Sequence, residues 1–254
     1  MSNTNRQRLV TVVGTNYADT LVPELIEQSL DVYNKKDFSQ RNFQVSVTEN
    51  TNATAGIVLT VLGIEAYRNR IYYLERKQVS SSVTNDLTTI FLVKDASFPK
   101  ILFSDLLNEV FLVRDVIVHN HIYEVTVIND QDWKMLNHRQ KLLKGYGDNR
   151  RLRSGLVIER TRKTRNLGLN VQPAKIGFED IYIIYLVFGL FVEISNRLLS
   201  RSHVPFSVHH KHEGDWYLEI DKYFKHVQEM VSNQNFLAKI KVLETKIQGM
   251  GLTP

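Results

Sequence analysis

Apolar residues along this chain recur mostly at helical spacing, and three long stretches carry the pattern most strongly. The first runs from Ala53 to Lys77 behind the cap-forming pair Thr51-Asn52. It is rich in valine and isoleucine, but some 25 residues is a helix length, not a strand length. The second runs from Pro99 to Tyr123, with proline suited to its first turn. The third, Phe178 to Leu199, contains the run Ile181–Val192, apolar on nearly every side, so it is expected to be the central helix of a bundle. Asp19–Tyr33 has weaker helical spacing at Leu21, Leu25, Ile26 and Leu30. Tyr217–Gln248 is helical with a break near Asn233–Asn235. Phe43–Val47, Glu124–Ile128, Leu156–Ile158 and Leu167–Val171 read as short extended pieces. Leu9–Val13 fits either a strand or a helix start, and Ser200–Asp215 reads as a loop. The expected fold class is mainly all-α, with a few short strands in the connections. An N-terminal extension covers 1–48, a bundle 49–200, and a C-terminal loop and helices of the same domain 201–254.

Helical geometry sorts the polar residues inside these stretches. Val58, Leu62, Glu65, Asn69 and Tyr72 share a stripe expected to face the core. Glu65 there requires a cationic partner on a neighbouring helix, because an unpaired buried charge is very costly. In the second stretch, Arg114 and His121 share one face, while Asp115 and His119 lie four residues apart on an adjacent one. An acid at that spacing can orient an imidazole or raise its pKa. Tyr67, Tyr72 and Tyr73 read as core and helix-packing residues.

Charge adds a second feature. The 254 residues carry a net charge of +5, and cysteine is absent, which excludes disulfides and thiolate metal sites. Residues 1–130 balance at −3, residues 131–254 at +8. Arg139–Arg165 carries ten basic residues against Asp148 and Glu159 alone. Such a density points to a polyanion, and Arg150, Arg151, Arg153, Arg160, Arg162, Lys163 and Arg165 are the candidate phosphate contacts. A solvated basic loop without a ligand has the same composition. Met1–Arg8 lacks the apolar core of a signal peptide, and the longest apolar run, 12 residues, falls short of the roughly 20 that span a bilayer. A soluble cytoplasmic protein with no membrane partner is expected.

Three motifs together resemble the HEPN superfamily of helical-bundle proteins found in toxin–antitoxin and other defence systems. Arg114-Asp115-Val-Ile-Val-His119 fits that family's Arg-x4-His pattern, and His121 extends it to His-x-His. Ile64-Glu65-Ala-Tyr-Arg-Asn69-Arg70 is similar to the Glu-x-x-x-Asn stretch of several subfamilies. Leu167-Gly-Leu-Asn-Val171 before a long apolar helix is the usual sequel. The resemblance covers about Asn50 to Arg197. Asp115 stands where many active members have asparagine.

The resemblance implies a HEPN-like bundle of long antiparallel helices and a metal-independent, cofactor-free endoribonuclease that cleaves RNA through attack of its own 2′-hydroxyl. His119 would move protons, Arg114 would hold the phosphate, Asp115 would orient His119, and His121, Glu65 and Asn69 would support them. It also implies a homodimer with two motifs face to face, and an antitoxin or other defence-system protein as partner. Two other readings remain beside it. One is a non-catalytic module that dimerises and binds RNA, a nucleotide or a protein, with Arg114 tying helices together through Glu65 and His119 interacting with a helix C-terminus. The other is a metal-dependent hydrolase using His203, His209, His210 and His212.

Overall fold

The computed structural model describes residues 17–39, 44–119, 123–126, 139–142, 155–158, 160–200, 203–210 and 216–248. Among these the chain is mainly helical, an all-α fold with short two-stranded ladders in the connections. A π-helical turn, Tyr17–Leu21, leads into α1, Val22–Tyr33, whose Pro23 falls in the first turn as its fixed φ favours. Then come α2, Val47–Leu74; α3, Val83–Lys94; and α4, Lys100–His119. The strands β1, Tyr123–Thr126, and β2, Arg139–Leu142, pair antiparallel. So do β3, Val157–Ile158, and β4, Lys163–Thr164. Helix α5, Phe178–Leu198, follows a 3-10 turn at Pro173–Lys175. Strands β5, Val208–His210, and β6, Trp216–Leu218, form a third ladder before α6, Ile220–Met230, and α7, Gln234–Gln248.

Helix α5 is the centre, as its all-round apolar composition requires. Tyr182, Tyr185, Phe188 and Phe191 are fully buried on it. Their polar atoms find partners: Tyr185 Oη donates to Ala18 O at 2.9 Å, and Gln228 Nε2 donates to Tyr182 Oη at 2.9 Å. Helix α2 runs beside α5 in the same sense, because Glu49 meets Phe178 while Tyr67 meets Phe188 and Phe191. Helix α1 runs against α5, from Ala18 near Tyr185 to Tyr33 near Phe178. Gly189 admits α6 closely, since a Cβ there would lie 2.7 Å from the Phe224 ring.

Buried carboxylates hold the irregular segments. Asp180 accepts from the main-chain N–H groups of Asn170 and Gly177 at 2.8 and 3.0 Å. Glu49 accepts from Phe178 N at 3.1 Å and pairs with Lys36. Asp86 pairs with Arg68 at 2.9 Å and accepts from Ser80 N at 3.0 Å. These bonds satisfy loop backbone that strand pairing would otherwise have to satisfy.

Several expected boundaries shift. Helix α2 begins six residues before Ala53, because Ser46, whose hydroxyl accepts from Glu49 N at 3.2 Å, is its cap; Thr51 and Asn52 lie inside it. Val47 is therefore helical rather than extended. Helix α4 ends at His119, four residues short of Tyr123, where β1 starts. Leu167–Val171 is not a strand: only Asn170 bridges to Lys163, since Asp180 takes the Asn170 N–H. The loop 200–215 contains β5, and Trp216–Leu218 is extended rather than helical. Leu9–Val13 lies outside the described residues.

Candidate functional site

Glu65 on α2 and Arg114 on α4 meet, as the need for a cationic partner predicted. Arg114 Nη2 stands 3.4 Å from Glu65 Oε1, at the long end of a hydrogen bond. Arg114 Nε lies 3.1 Å from Asp115 Oδ1 without the alignment of a hydrogen bond, so that contact is a charge pairing. The guanidinium also packs over the Phe111 ring at 5.6 Å, one turn back along α4.

The pair is not in the core. The side chains of Arg114 and Glu65 are each 27% exposed, whereas Asp115 is buried. The stripe through Val58, Leu62, Glu65 and Asn69, expected to face inward, lies along the rim of the bundle, with Leu62 43% exposed. The inward face of α2 is instead Ala53, Ile57, Val61, Ile64, Tyr67 and Ile71. The buried set is offset by one residue, about 100° around the helix axis, because α1 and α5 pack against that face. Tyr67 and Tyr72 are buried as expected, but Tyr73 is 54% exposed and is corrected to a surface residue.

Arginine carries five N–H donors, and the contacts just named use the Nε and Nη2 side of the fork. Nη1 has no protein partner among the described residues, so a partly exposed, permanently charged donor remains for an anion. His119 is the last residue of α4, five positions beyond Arg114. The His119 side chain and the whole of His121 lie outside the described residues, as do Arg150, Arg151 and Arg153. Asn69 stands one turn beyond Glu65 and makes no hydrogen bond among the described residues.

The remaining basic candidates cluster at the β3–β4 hairpin. Arg160 and Arg165 are exposed; Arg162 holds the turn with a φ of 56°; Lys163 lies on β4 and lines a separate cavity of about 780 Å³. The hairpin is tied to α4 by Glu109, which accepts from Asn166 N and Leu167 N. Glu109 and Arg114 are about 7.5 Å apart along the helix axis. Neither Glu109 nor Phe111 stands out in the sequence pattern. A lone acid in Leu106-Leu-Asn-Glu-Val-Phe was the available signal for Glu109, and i, i+3 spacing to Arg114 for Phe111.

Of the four loop histidines, only His203 has a described side chain. His203 Nδ1 contacts Ser200 Oγ at 2.7 Å and its Nε2 stands 3.3 Å from Glu75. The side chains of His209 and His210, and all of His212, lie outside the described residues. Among the described residues no three metal-ligating side chains come together, and no helix is long and apolar enough to cross a membrane. Comparison of the chain with protein-family models, curated proteins and solved structures finds no match.

Proposed function

We propose that the chain is a metal-independent endoribonuclease of the HEPN type. The observation that carries this reading is the Arg114 guanidinium: held on one edge by Glu65 and Asp115, partly exposed, and five residues before a histidine that ends the same helix. In the reaction, the 2′-oxygen of a ribose attacks the adjacent phosphorus as its proton passes to a base. The 5′-oxygen of the next nucleotide leaves with a proton from an acid. The products are a 2′,3′-cyclic phosphate and a 5′-hydroxyl. His119 exchanges the protons, and Arg114 stabilises the charge on the non-bridging phosphate oxygens. Asp115 orients His119 and, through its contact with Arg114 Nε, also holds the arginine. His121 supports the proton transfers. The hairpin residues Arg160, Arg162, Lys163 and Arg165, with Arg150, Arg151 and Arg153, guide the RNA.

One helix supplies one Arg114–His119 pair, so a homodimer would set two pairs around one phosphate. Leu62, one turn before Glu65, and Val118, one turn beyond Arg114, are 43% and 50% exposed and offer apolar surface for a second copy. A defence setting, with an antitoxin or related protein as partner, rests on the resemblance alone, and a cytoplasmic location on the sequence composition.

The same ion pairs favour a second reading: Arg114 ties α4 to α2 in a non-catalytic binding module. Purified protein incubated with structured RNA in EDTA, beside Arg114→Ala and His119→Ala, separates the two. Cleavage that survives EDTA and disappears in both folded variants is expected. An inert parent protein, or equal cleavage by the variants, would overturn the nuclease reading. Unfolding of Arg114→Ala while His119→Ala still cleaves would favour the second.

A further inference from the structure

A cavity of about 500 Å³ opens at the C-terminal end of α2, one turn beyond Glu65. Asn69, Tyr73, Arg76 and Lys77 line it, over a floor that includes the buried Tyr72. Its volume falls within the range of small-ligand sites. Tyr72 is fixed from below, because its hydroxyl donates to Asp86 O at 2.9 Å. The upper groups are uncommitted. Tyr73 is a half-exposed aromatic ring, while the side chains of Asn69 and Arg76 make no hydrogen bond or ion pair among the described residues.

The backbone adds an independent sign. Helix α2 ends with Lys77 N donating to Tyr72 O at 2.8 Å and Arg76 N donating to Tyr73 O at 3.2 Å. That pair of bonds puts residue 76 in the left-handed position where glycine is the ordinary choice. Here it is an arginine with a φ of 53°. A Cβ is strained there, so the local backbone gives no reason for arginine, and its side chain stands over the cavity.

We propose that this cavity is a subsite for one unpaired nucleotide of a single-stranded RNA. The base stacks on Tyr73, Asn69 donates to and accepts from its edge, and Arg76 with Lys77 holds the flanking phosphate. The inference rests on the endoribonuclease reading and deepens it. The Asn69 edge of the subsite lies one helical turn from Glu65, the partner of Arg114, and Tyr73 lies two turns away, so a strand running from the subsite along α2 is single-stranded as it nears the scissile bond.

The test uses the full chain and a fluorescein-labelled, unpaired RNA octamer with every 2′-oxygen methylated. Capping the nucleophile lets anisotropy read binding apart from cleavage. Tyr73→Ala should weaken binding by about five- to a hundredfold, the range stacking supplies, while Tyr73→Phe stays close to the parent. Arg76→Gly should weaken binding yet raise Tm, because glycine relieves the left-handed backbone; a merely unstable variant could not do both. Octamer binding that is absent in the parent, or unchanged in Tyr73→Ala and Arg76→Gly, refutes the subsite. If structured RNA is never cleaved but octamer binding is lost in these variants, the nuclease reading fails and the subsite stands.

Discussion

Glu109, fully buried in α4, accepts both the main-chain N–H and the side-chain amide of Asn166, at 2.8 and 3.0 Å, through one carboxylate oxygen. Its other oxygen takes Leu167 N at 2.8 Å. A segment 57 residues away in sequence is thereby pinned to the helix that carries Arg114. Glu109→Gln turns one acceptor into a donor facing N–H groups. It should cost about 2–3 kcal/mol in urea unfolding, as a charged acceptor of several bonds is lost. Limited proteolysis should cut first between Leu156 and Gly168. Unchanged stability would show that the carboxylate does not hold the hairpin.

Arg68 and Asp86 form a buried pair at 2.9 Å that joins α2 to the start of α3. Asp86→Ala strands the guanidinium and frees Ser80 N, and should cost about 3–5 kcal/mol. Arg68→Met with Asp86→Leu should cost clearly less than Asp86→Ala alone, because no uncompensated charge remains. A double variant as unstable as the single one would contradict this account.

Burial raises the Glu193 carboxyl above its ordinary pKa, the charge of Asp221 adds to the rise, and Arg197 pulls it back. Lys225 of α6 and Glu244 of α7 face the same cavity. A raised folded-state value means that the native protein keeps this proton where the unfolded chain has lost it. Stability from this group is therefore present below the ordinary glutamate range and is lost as pH rises through the folded value. Glu193→Gln should stabilise the fold at pH 7, by less than about 1 kcal/mol because the group is partly solvated, and so raise Tm there, while leaving it unchanged near pH 4. Melting curves at the two pH values decide it.

Gly189→Ala puts a methyl group 2.7 Å from the Phe224 ring and 3.1 Å from Ile220. Both belong to α6, so the helix must move outward, at about 1–3 kcal/mol. Denaturant unfolding measures it, and a neutral result would mean that α6 docks more loosely than its contacts indicate.

Much of the helical scaffold was legible because helical periodicity is a local property. Ile181–Val192 had to be buried whatever surrounded it, and Pro23 could only open a helix. The Glu65–Arg114 pair was anticipated from a carboxylate in an apolar stripe, although the premise of a buried charge failed, since both side chains are 27% exposed at the rim. Tyr73 and the Leu62 stripe were misplaced because a periodicity names a face without saying which neighbour covers it. Val58, Leu62 and Tyr72 and the alternative stripe through Ile57, Val61, Ile64 and Ile71 are both apolar, and their packing against α1 and α5 chose between them.

The sequence by itself determined the three longest helices and the placing of Arg114, Asp115 and His119 along one of them, but not the helix α3, Val83–Lys94. Each depends on residues within a turn or two of one another. Only the tertiary structure decided that Arg114 lies at a half-exposed rim, that Glu109 ties down the basic hairpin, and that Asn69, Tyr73 and Arg76 surround one cavity. Those outcomes depend on how helices pack and on which buried carboxylate meets which distant N–H, which local spacing does not encode.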